Sequence, residues 1–226
     1  MIGVVGGIGA GKSRLGRTLA EQGATVIDAD AIGHALLDQR PALEEVMRRF
    51  GPRVLDAPLA PGEAPRINRR ALGALVFANR RALNDLEAIL HPRMRRTFER
   101  MISRAVRGGK ATAVVLDAAV LFEAGWHDMC DSVVFIDAPR EQRLQRVLQE
   151  RGWDAAQLDA RQRSQLDLDT KRKRSDHVIT NSDDERAFEA AALSFWKRFA
   201  RSSGPSVRDL SSRPRSRAAS PRGSHP

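Results

Sequence analysis

The segment Gly6–Ser13, with the sequence GGIGAGKS, contains the residues of this chain best suited to chemistry. It matches the pattern G-x-x-x-x-G-K-[ST], in which glycines let backbone N–H groups surround a polyphosphate, a lysine neutralises the outer phosphates, and a hydroxyl group coordinates Mg²⁺. We therefore predict a phosphate-binding loop (P-loop) with a catalytic Lys12 and a metal-binding Ser13. Its members are Gly6, Gly7, Ile8, Gly9, Ala10, Gly11, Lys12 and Ser13.

The sequence on either side of this loop supplies the context that such a site needs. Residues 2–5 predict a short buried strand, and residues 14–22 predict a helix whose N-terminal N–H groups face the phosphates. A chance glycine-rich turn between a strand and a helix is the alternative interpretation. The flanking pattern favours a nucleotide-binding site.

Aspartates end three other apolar segments that are typical of strands. Ala24–Asp28, Ala113–Asp117 and Val133–Asp137 have this pattern, and ligands of parallel sheets lie beyond the carboxyl ends of the strands. We predict that Asp117 binds Mg²⁺ beside the P-loop, with a helix cap or a turn as the alternative role. Asp137 precedes an Ala-Pro pair and is predicted to be a turn residue.

Two carboxylates, Asp28 and Asp30, stand close together at the end of the second strand pattern. Alternation along an extended chain would place both on one side, where one of them could accept the proton of an attacking hydroxyl group. The alternative role is to cap the helix expected from Ala31, which Asp30 could do.

Strand patterns alternate with helical patterns along the chain, and this order predicts an α/β fold with a parallel sheet covered by helices on both faces. His177–Thr180 is expected to be the last strand. Pro92 is expected to open a helix separate from the preceding one, and Asp154–Lys173 is expected to be one charged helix. The arginines between Arg140 and Arg174 are candidates for a lid over a triphosphate, although any single one of them is expected on a solvated face.

The composition is typical of a globular protein of one main core: 226 residues, 42% hydrophobic and 29% charged. Of the net charge of +10, half lies in residues 201–226, which hold six arginines and one aspartate. This Ser/Pro/Arg-rich tail is predicted to be disordered and to bind polyanions weakly, without specific recognition of nucleic acid.

The apolar runs, the N-terminal residues and the cysteine content of the sequence indicate the cellular compartment to expect. The longest apolar run, Ala111–Phe122, is interrupted by Asp117, so no membrane span is expected. The first strand pattern begins at residue 2, which leaves no room for a signal peptide, and Cys130 is the single cysteine. We expect a cytoplasmic protein and a monomer.

An ordered series of motifs resembles the dephospho-CoA kinase family. The series spans roughly residues 1–195 and leaves the tail unexplained. Its members are Gly6–Ser13, Val26–Asp30, Phe50-Gly51, Ile67–Gly73, Val76-Phe77, Leu86–Pro92, Val115–Glu123, Leu144 with Arg146, Arg161 with Gln165, and Asp176–Asn181. A P-loop alone is common to many families, whereas the whole series in order is specific.

The resemblance implies ATP-dependent phosphorylation of the ribose 3′-hydroxyl of dephospho-CoA, the last step of coenzyme A synthesis, with Mg²⁺ as cofactor. It implies a single domain over residues 1–200 with the P-loop NTPase three-layer α/β/α fold, a helical acceptor-binding insert at about 31–108 and a lid at about 139–174. The resemblance implies that Asp30 is the catalytic base and that Arg146 and Asn181 bind ATP. The residues implied to bind the acceptor are Asp30, Arg69, His91, Leu121 and Phe122. The residues implied to lie in the lid are Arg143, Arg146, Arg161 and Gln165.

The chain departs from the family pattern at a few positions. Asn68 stands where aspartate is usual, Ala119 where proline is usual, and Thr180 where aspartate is usual. Another P-loop kinase, acting on a nucleoside monophosphate or a different alcohol, is the alternative activity, and the segment Phe50–Pro92 would distinguish it. A nucleotide-dependent switch is a further alternative, but the chain lacks the Asn-Lys-x-Asp motif that reads guanine.

Overall fold

The computed structural model describes residues 1–56, 65–109, 111–182 and 184–202. Five strands in these residues form one sheet in which every neighbouring pair is parallel, in the order β2-β3-β1-β4-β5. The strands are β1 (Ile2–Gly6), β2 (Ala24–Asp28), β3 (Ala113–Asp117), β4 (Ser132–Asp137) and β5 (His177–Thr180). All five strand predictions are confirmed, because short apolar runs that end in polar residues are typical of buried parallel strands.

Helices connect the strands and cover both faces of the sheet. In the described residues the α-helices are α1 (Lys12–Glu21), α2 (Ala29–Leu37), α3 (Arg40–Phe50), α4 (Arg69–Ala78), α5 (Arg80–Gly108), α6 (Arg140–Arg151), α7 (Ala155–Arg163), α8 (Leu168–Lys173) and α9 (Glu185–Ser202). Between α3 and α4 the described residues form a 3₁₀ turn, Pro52–Val54, and one antiparallel bridge between Leu55 and Ile67. The predicted tail lies outside the described residues from residue 203 onward, and residues 201–202 belong to α9.

The core consists of two apolar layers on opposite faces of the sheet. Residues of β1 alternate between them: Val5 belongs to the layer that contains Phe98 of α5, and Val4 belongs to the layer that contains Leu15 of α1 and Phe195 of α9. Alternation arises because successive side chains of a strand point to opposite faces. The result is the predicted three-layer α/β/α architecture.

Helix α5 differs from the prediction at Pro92, which lies inside one continuous helix instead of opening a second one. Proline removes one backbone hydrogen bond and crowds the preceding turn. The buried side chains of Leu90, Met94, Phe98 and Ile102 follow one another at helical spacing on both sides of it. Burial of this common face against the sheet outweighs the local cost of the proline.

The segment predicted as one helix over residues 154–173 is instead two helices, α7 and α8. The Ser164 hydroxyl donates to the Arg161 carbonyl at 2.7 Å where α7 ends, and the Asp167 carboxylate accepts the Thr170 N–H at 2.8 Å where α8 begins. Serine and aspartate compete with the helical backbone for hydrogen bonds in this way. The break places four residues of irregular chain between the two helices.

Helix α2 begins at Ala29, two residues earlier than predicted, because Asp28 caps it. The Asp28 carboxylate accepts the Ala31 N–H at 2.9 Å, while Asp30 lies in the first helical turn with an exposed side chain. The chain therefore does not stay extended through this pair, and capping by Asp30 is wrong. One carboxylate caps the helix and the other projects from it.

Candidate active site

The P-loop connects β1, the central strand, to α1. Gly9 and Gly11 have φ angles of 75° and 97°, which residues with a side chain adopt rarely. A Cβ at residue 9 would lie 2.7 Å from the Arg143 carbonyl oxygen, and one at residue 11 would collide with the Asn181 amide. Only glycine fits these two positions, so the backbone itself forms the surface of the loop.

Three consecutive carbonyl groups of the P-loop accept hydrogen bonds from distant side chains. The Ile8 carbonyl accepts from Arg143 at 3.4 Å, the Gly9 carbonyl from Arg146 at 3.3 Å, and the Ala10 carbonyl from Asn181 at 2.7 Å. These hydrogen bonds turn the carbonyl groups toward α6 and Asn181, away from the mouth of the loop. Backbone N–H groups that converge on the open side of such a loop bind anions. The loop is therefore organised for phosphate by residues of α6 and of the segment after β5.

Gln162 of α7 is a loop contact that the sequence analysis missed. Its Oε1 lies 3.4 Å from the Ile8 N–H and 3.3 Å from Arg143 Nη1, so it joins α7 to the P-loop. A glutamine in a charged helix has no motif that marks it. Arg143, predicted as a lid residue, is 7% exposed under the loop, where burial lowers the pKa of its guanidinium group.

Lys12 and Ser13 stand at the mouth of the loop. The Lys12 ammonium lies 3.5 Å from the Gly7 carbonyl oxygen and thus folds back across the loop, and the Ser13 hydroxyl donates to Asp117 at 3.0 Å. Asp117 is 8% exposed and ends β3, the neighbour of β1. The hydroxyl and the carboxylate that the sequence predicts to bind Mg²⁺ are thereby in direct contact.

Two further carboxylates, Asp28 and Asp30, influence Asp117 at this edge of the sheet. Asp28 pairs with Asp117 in the register of β2 and β3. Burial raises the pKa of the Asp117 carboxyl; Lys12 and the Ser13 hydroxyl oppose the shift, whereas Asp28 and Asp30 add to it. The edge is therefore crowded with negative charge that an added cation would relieve.

One of the predicted lid residues, Arg161, contacts the predicted helical insert. The Arg161 guanidinium stacks 4.1 Å from the Trp153 ring centroid and 4.4 Å from that of Phe77 in α4. Arg80, the first residue of α5, donates to the Ser164 carbonyl at 3.0 Å. The segment around α7 is thus in contact with the α4–α5 junction.

The predicted acceptor residues are not all in one place. Arg69 donates a hydrogen bond to the Asp38 carboxylate at 2.7 Å. Asp30 lies in the first turn of α2 and Asp38 at its C-terminal end, so the two ends are about 12 Å apart along the helix axis. Leu121 is fully buried, and a Cβ at Gly3 would be 2.7 Å from its Cδ2. Leu121 is therefore a core residue that does not line an open surface.

His91 and Phe122 lie on either side of the 3₁₀ turn Trp126–Met129. The His91 ring contacts Trp126 edge-on at 5.0 Å between centroids, and burial lowers the pKa of His91 although Glu123 opposes the shift. Phe122 is covered by Arg174, whose guanidinium carbon lies 4.3 Å from the ring centroid. Both rings contact residues of this turn, His91 through Trp126 and Phe122 through His127.

Cys130 does not have the properties of a nucleophile. Burial raises the pKa of its thiol to about 12, so very little thiolate forms at neutral pH. The sulfur packs against β1, where a Cβ at Gly3 would be 2.9 Å from it.

The described residues contain no cluster of three or more histidine, cysteine or acidic side chains that could hold a metal ion by itself. In the same residues, no helix is long and apolar enough to cross a membrane. A P-loop site has no need of such a cluster, because Mg²⁺ is usually bound by one or two protein oxygens together with substrate phosphates.

A central-strand P-loop with acidic residues on the neighbouring strands defines a P-loop nucleotide-binding enzyme. A family model described as dephospho-CoA kinase matches residues 1–186. The chain belongs to the dephospho-CoA kinase family.

Individual relatives agree with this assignment. Dephospho-CoA kinases of Thermobifida fusca and Corynebacterium diphtheriae are 36% and 39% identical to the chain; each alignment covers 88% of it, and 96% and 97% of the relative. Two solved structures are also similar. TT1252 from Thermus thermophilus has a TM-score of 0.72 at 32% identity, covering 87% of this chain and 96% of its own. Dephospho-CoA kinase from Campylobacter jejuni has a TM-score of 0.64 at 28% identity, covering 90% and 98%.

Proposed function

We propose that the chain transfers the γ-phosphoryl group of ATP to the 3′-hydroxyl of dephospho-CoA, giving coenzyme A and ADP. Besides the family, one observation carries the mechanism: Asp28 is occupied as a helix cap, whereas the Asp30 carboxylate is exposed. Asp30 acts electrostatically on Asp117, which accepts a hydrogen bond from Ser13 of the P-loop. In the described parts of the chain, no side chain or backbone group donates a hydrogen bond to Asp30. It is therefore the carboxylate available to an incoming hydroxyl group.

The nucleotide half of the reaction follows from the P-loop. The N–H groups of the loop and the N-terminus of α1 bind the phosphates, and Lys12 neutralises charge that develops on the transferred group. Arg146 and Asn181 reach the loop from α6 and from the residue after β5. We propose that the adjoining surface receives the rest of ATP, with Arg161 and Gln165 of the lid closing over it.

The residues at the sheet edge fit a Mg²⁺ ion. Ser13 and Asp117 supply hard oxygen ligands, and burial raises the pKa of Asp117, with Asp28 and Asp30 adding to the shift. Magnesium prefers such oxygen ligands and completes its shell with phosphate and water. When bound, it would neutralise charge on the phosphates during transfer.

The acceptor half is assigned to Asp30 and the insert. Asp30 accepts the proton of the 3′-hydroxyl as that oxygen bonds to the γ-phosphorus, and the bond to the leaving ADP oxygen breaks. Arg69, one helix length from Asp30, is placed for the more distant part of an elongated acceptor. We assign His91 and Phe122 to the side of the acceptor site next to the turn Trp126–Met129. The buried Leu121 supports the segment that follows β3 without touching the acceptor.

Asn68 and Ala119 keep the local structure despite their departure from the family pattern. The Asn68 side chain accepts the Ala71 N–H at 2.8 Å and caps α4, as an aspartate would. The Ala119 carbonyl accepts from Lys171 at 2.6 Å, which requires no particular side chain at residue 119. Both substitutions are therefore compatible with the proposed acceptor site.

A coupled assay of ADP formation tests the function. Purified protein with ATP and Mg²⁺ is expected to turn over with dephospho-CoA and to release product phosphorylated at the 3′-position, identified by mass spectrometry. Nucleoside monophosphates, shikimate and gluconate serve as competing acceptors. Faster turnover with any of these than with dephospho-CoA would contradict the proposal.

Replacing Asp117 by asparagine is expected to raise the melting temperature of the nucleotide-free protein at neutral pH while weakening magnesium binding about 10- to 100-fold. The pKa of Asp117 is raised in the folded protein. The ionised carboxylate therefore costs stability at neutral pH, and this cost disappears as the pH falls below the raised pKa. Thermal unfolding at several pH values and Mg²⁺ titration of ATP turnover measure the two effects. An unchanged Mg²⁺ requirement would remove Asp117 from the metal site.

We also propose that the chain acts in the cytoplasm as a monomer and that the tail contributes nothing to catalysis. Ending the chain after Ser202 removes five arginines and one aspartate. We expect kcat to stay within about twofold, because a Ser/Pro/Arg-rich segment cannot pack into the site, and elution from heparin to need less salt. A large loss of kcat would assign the tail to the active site.

A further inference from the structure

A completely buried lysine lies between the lid and the acceptor side of the site. Lys171, in α8, has no exposed surface. Its ammonium group donates to the Ala119 carbonyl at 2.6 Å, to Gln165 Oε1 at 3.2 Å and to Glu123 Oε1 at 2.9 Å. An ammonium group has three N–H donors, and here three acceptors from different parts of the chain are within reach of them.

The contacts of Lys171 are of a kind that fixes position. Burial lowers the pKa of its ammonium group, and Glu123 opposes that shift. The same Glu123 oxygen accepts the Leu166 N–H at 2.8 Å. A buried charge whose every donor is satisfied restricts its neighbours to one arrangement, whereas a purely apolar side chain would tolerate several.

The three partners of Lys171 belong to segments with different tasks. Ala119 lies two residues after Asp117, at the start of the segment 118–123, which we call the acceptor loop and which includes Phe122. Glu123 ends this loop. Gln165 lies in the irregular chain between α7 and α8, on the lid side.

We propose that Lys171 is a positioning residue that sets the acceptor loop against the lid, so that the phosphoryl acceptor is correctly placed only when this three-point contact is intact. The inference rests on the proposed function and assigns to it a residue that need not touch either substrate. Misplacement of a bound group by about 1 Å can cost about 10²-fold in rate. The contact is also specific for an ammonium group, because a planar guanidinium cannot direct three donors at these acceptors.

The test compares Lys171→Met with wild type and with Lys173→Met, an exposed lysine of the same helix. For Lys171→Met we expect kcat/KM for dephospho-CoA to fall about 10²-fold. The dissociation constant of ATP, measured without acceptor by equilibrium dialysis, should change by a much smaller factor than kcat/KM, because the phosphates are bound by the P-loop and, among the described residues, Lys171 reaches the nucleotide side by hydrogen bond only through Gln165. Lys173→Met should match wild type in both.

A second variant separates positioning from stability. Lys171→Met alone leaves Glu123 without its ion-pair partner and lowers the melting temperature, whereas Lys171→Met combined with Glu123→Gln removes both charges and keeps an acceptor for Leu166. We expect the double variant to recover much of the melting temperature and little of kcat/KM. Recovery of both together, or wild-type kcat/KM in folded Lys171→Met, would overturn the proposal. A wild-type protein inactive on dephospho-CoA would instead count against the function itself.

Discussion

Replacing Lys12 by alanine is expected to reduce kcat by about 10²- to 10³-fold. The charge that develops on the transferred phosphoryl group loses its fixed cation, and removal of one such electrostatic contact typically costs about 10²- to 10³-fold. The side chain crosses the mouth of the loop and reaches the Gly7 carbonyl at 3.5 Å, so it contributes little to the core. Turnover with saturating dephospho-CoA, beside a thermal melt, measures both effects.

The melting temperature of the Lys12→Ala protein should stay close to that of wild type, and its ATP affinity should fall. Arg17, an exposed residue one turn further along α1, provides the matched control as Arg17→Ala. Turnover near the wild-type value in Lys12→Ala would overturn the assignment of the P-loop as the catalytic nucleotide site.

Replacing Asp30 by asparagine is expected to lower kcat by about 10²- to 10⁴-fold, because the acceptor hydroxyl loses its proton acceptor. The lower part of this range is expected, since phosphoryl transfer depends more on alignment than on deprotonation. ATP affinity should be retained, because the phosphates are bound by residues 6–13. Steady-state turnover and ATP binding, measured on the same preparation, check these expectations.

The chain supplies its own control two residues away. Asp28 caps α2 through the Ala31 N–H, and asparagine caps helices about as well as aspartate. Asp28→Asn should therefore keep both stability and most of the activity, while Asp28→Ala should cost about 1 kcal/mol of unfolding free energy. An inactive Asp28→Asn beside an active Asp30→Asn would show that the carboxylates have the opposite roles.

The strands and the P-loop could be predicted because their signals are local. A five-residue apolar run ending in aspartate, such as Ala113–Asp117, carries its own evidence of burial. Likewise, the spacing of the glycines in Gly6–Ser13 indicates directly where the backbone needs conformations that other residues rarely adopt. Neither prediction depended on a residue distant in the chain.

The contacts around the loop could not be predicted from local patterns, because they join residues far apart in sequence; Arg146 and Asn181 were expected near ATP only through the family resemblance. Gln162 and Arg143 look like ordinary members of charged helices, yet both are bound to the Ile8 peptide groups. Lys171 lies in a run of charged residues that predicts solvent exposure, and it is fully buried. Which of several similar charges is buried depends on tertiary packing, which periodicity does not describe.

The cap of α2 shows the same limit over a distance of two residues. Asp28 and Asp30 are identical in chemistry, and capping was open to either of them. The choice is made by where β2 stops pairing with β3, since Asp28 is the last paired residue and its neighbour Ala29 is already helical. The position at which β2 ends therefore determines that Asp28 caps α2 and that Asp30 does not.

The position of β1 in the middle of the sheet has a consequence for how the protein is made. Its two partners, β3 and β4, begin at Ala113 and Ser132, so β1 is synthesised well before either of them and is paired on both edges only after β4 has been made. The 131 residues from the end of β1 to the end of β4 take about 7–26 s to synthesise at about 5–20 residues per second. During that interval the apolar residues Ile2, Val4 and Val5 lack at least one of the neighbouring strands that they have in the folded sheet, and an unpaired apolar strand is a template for aggregation.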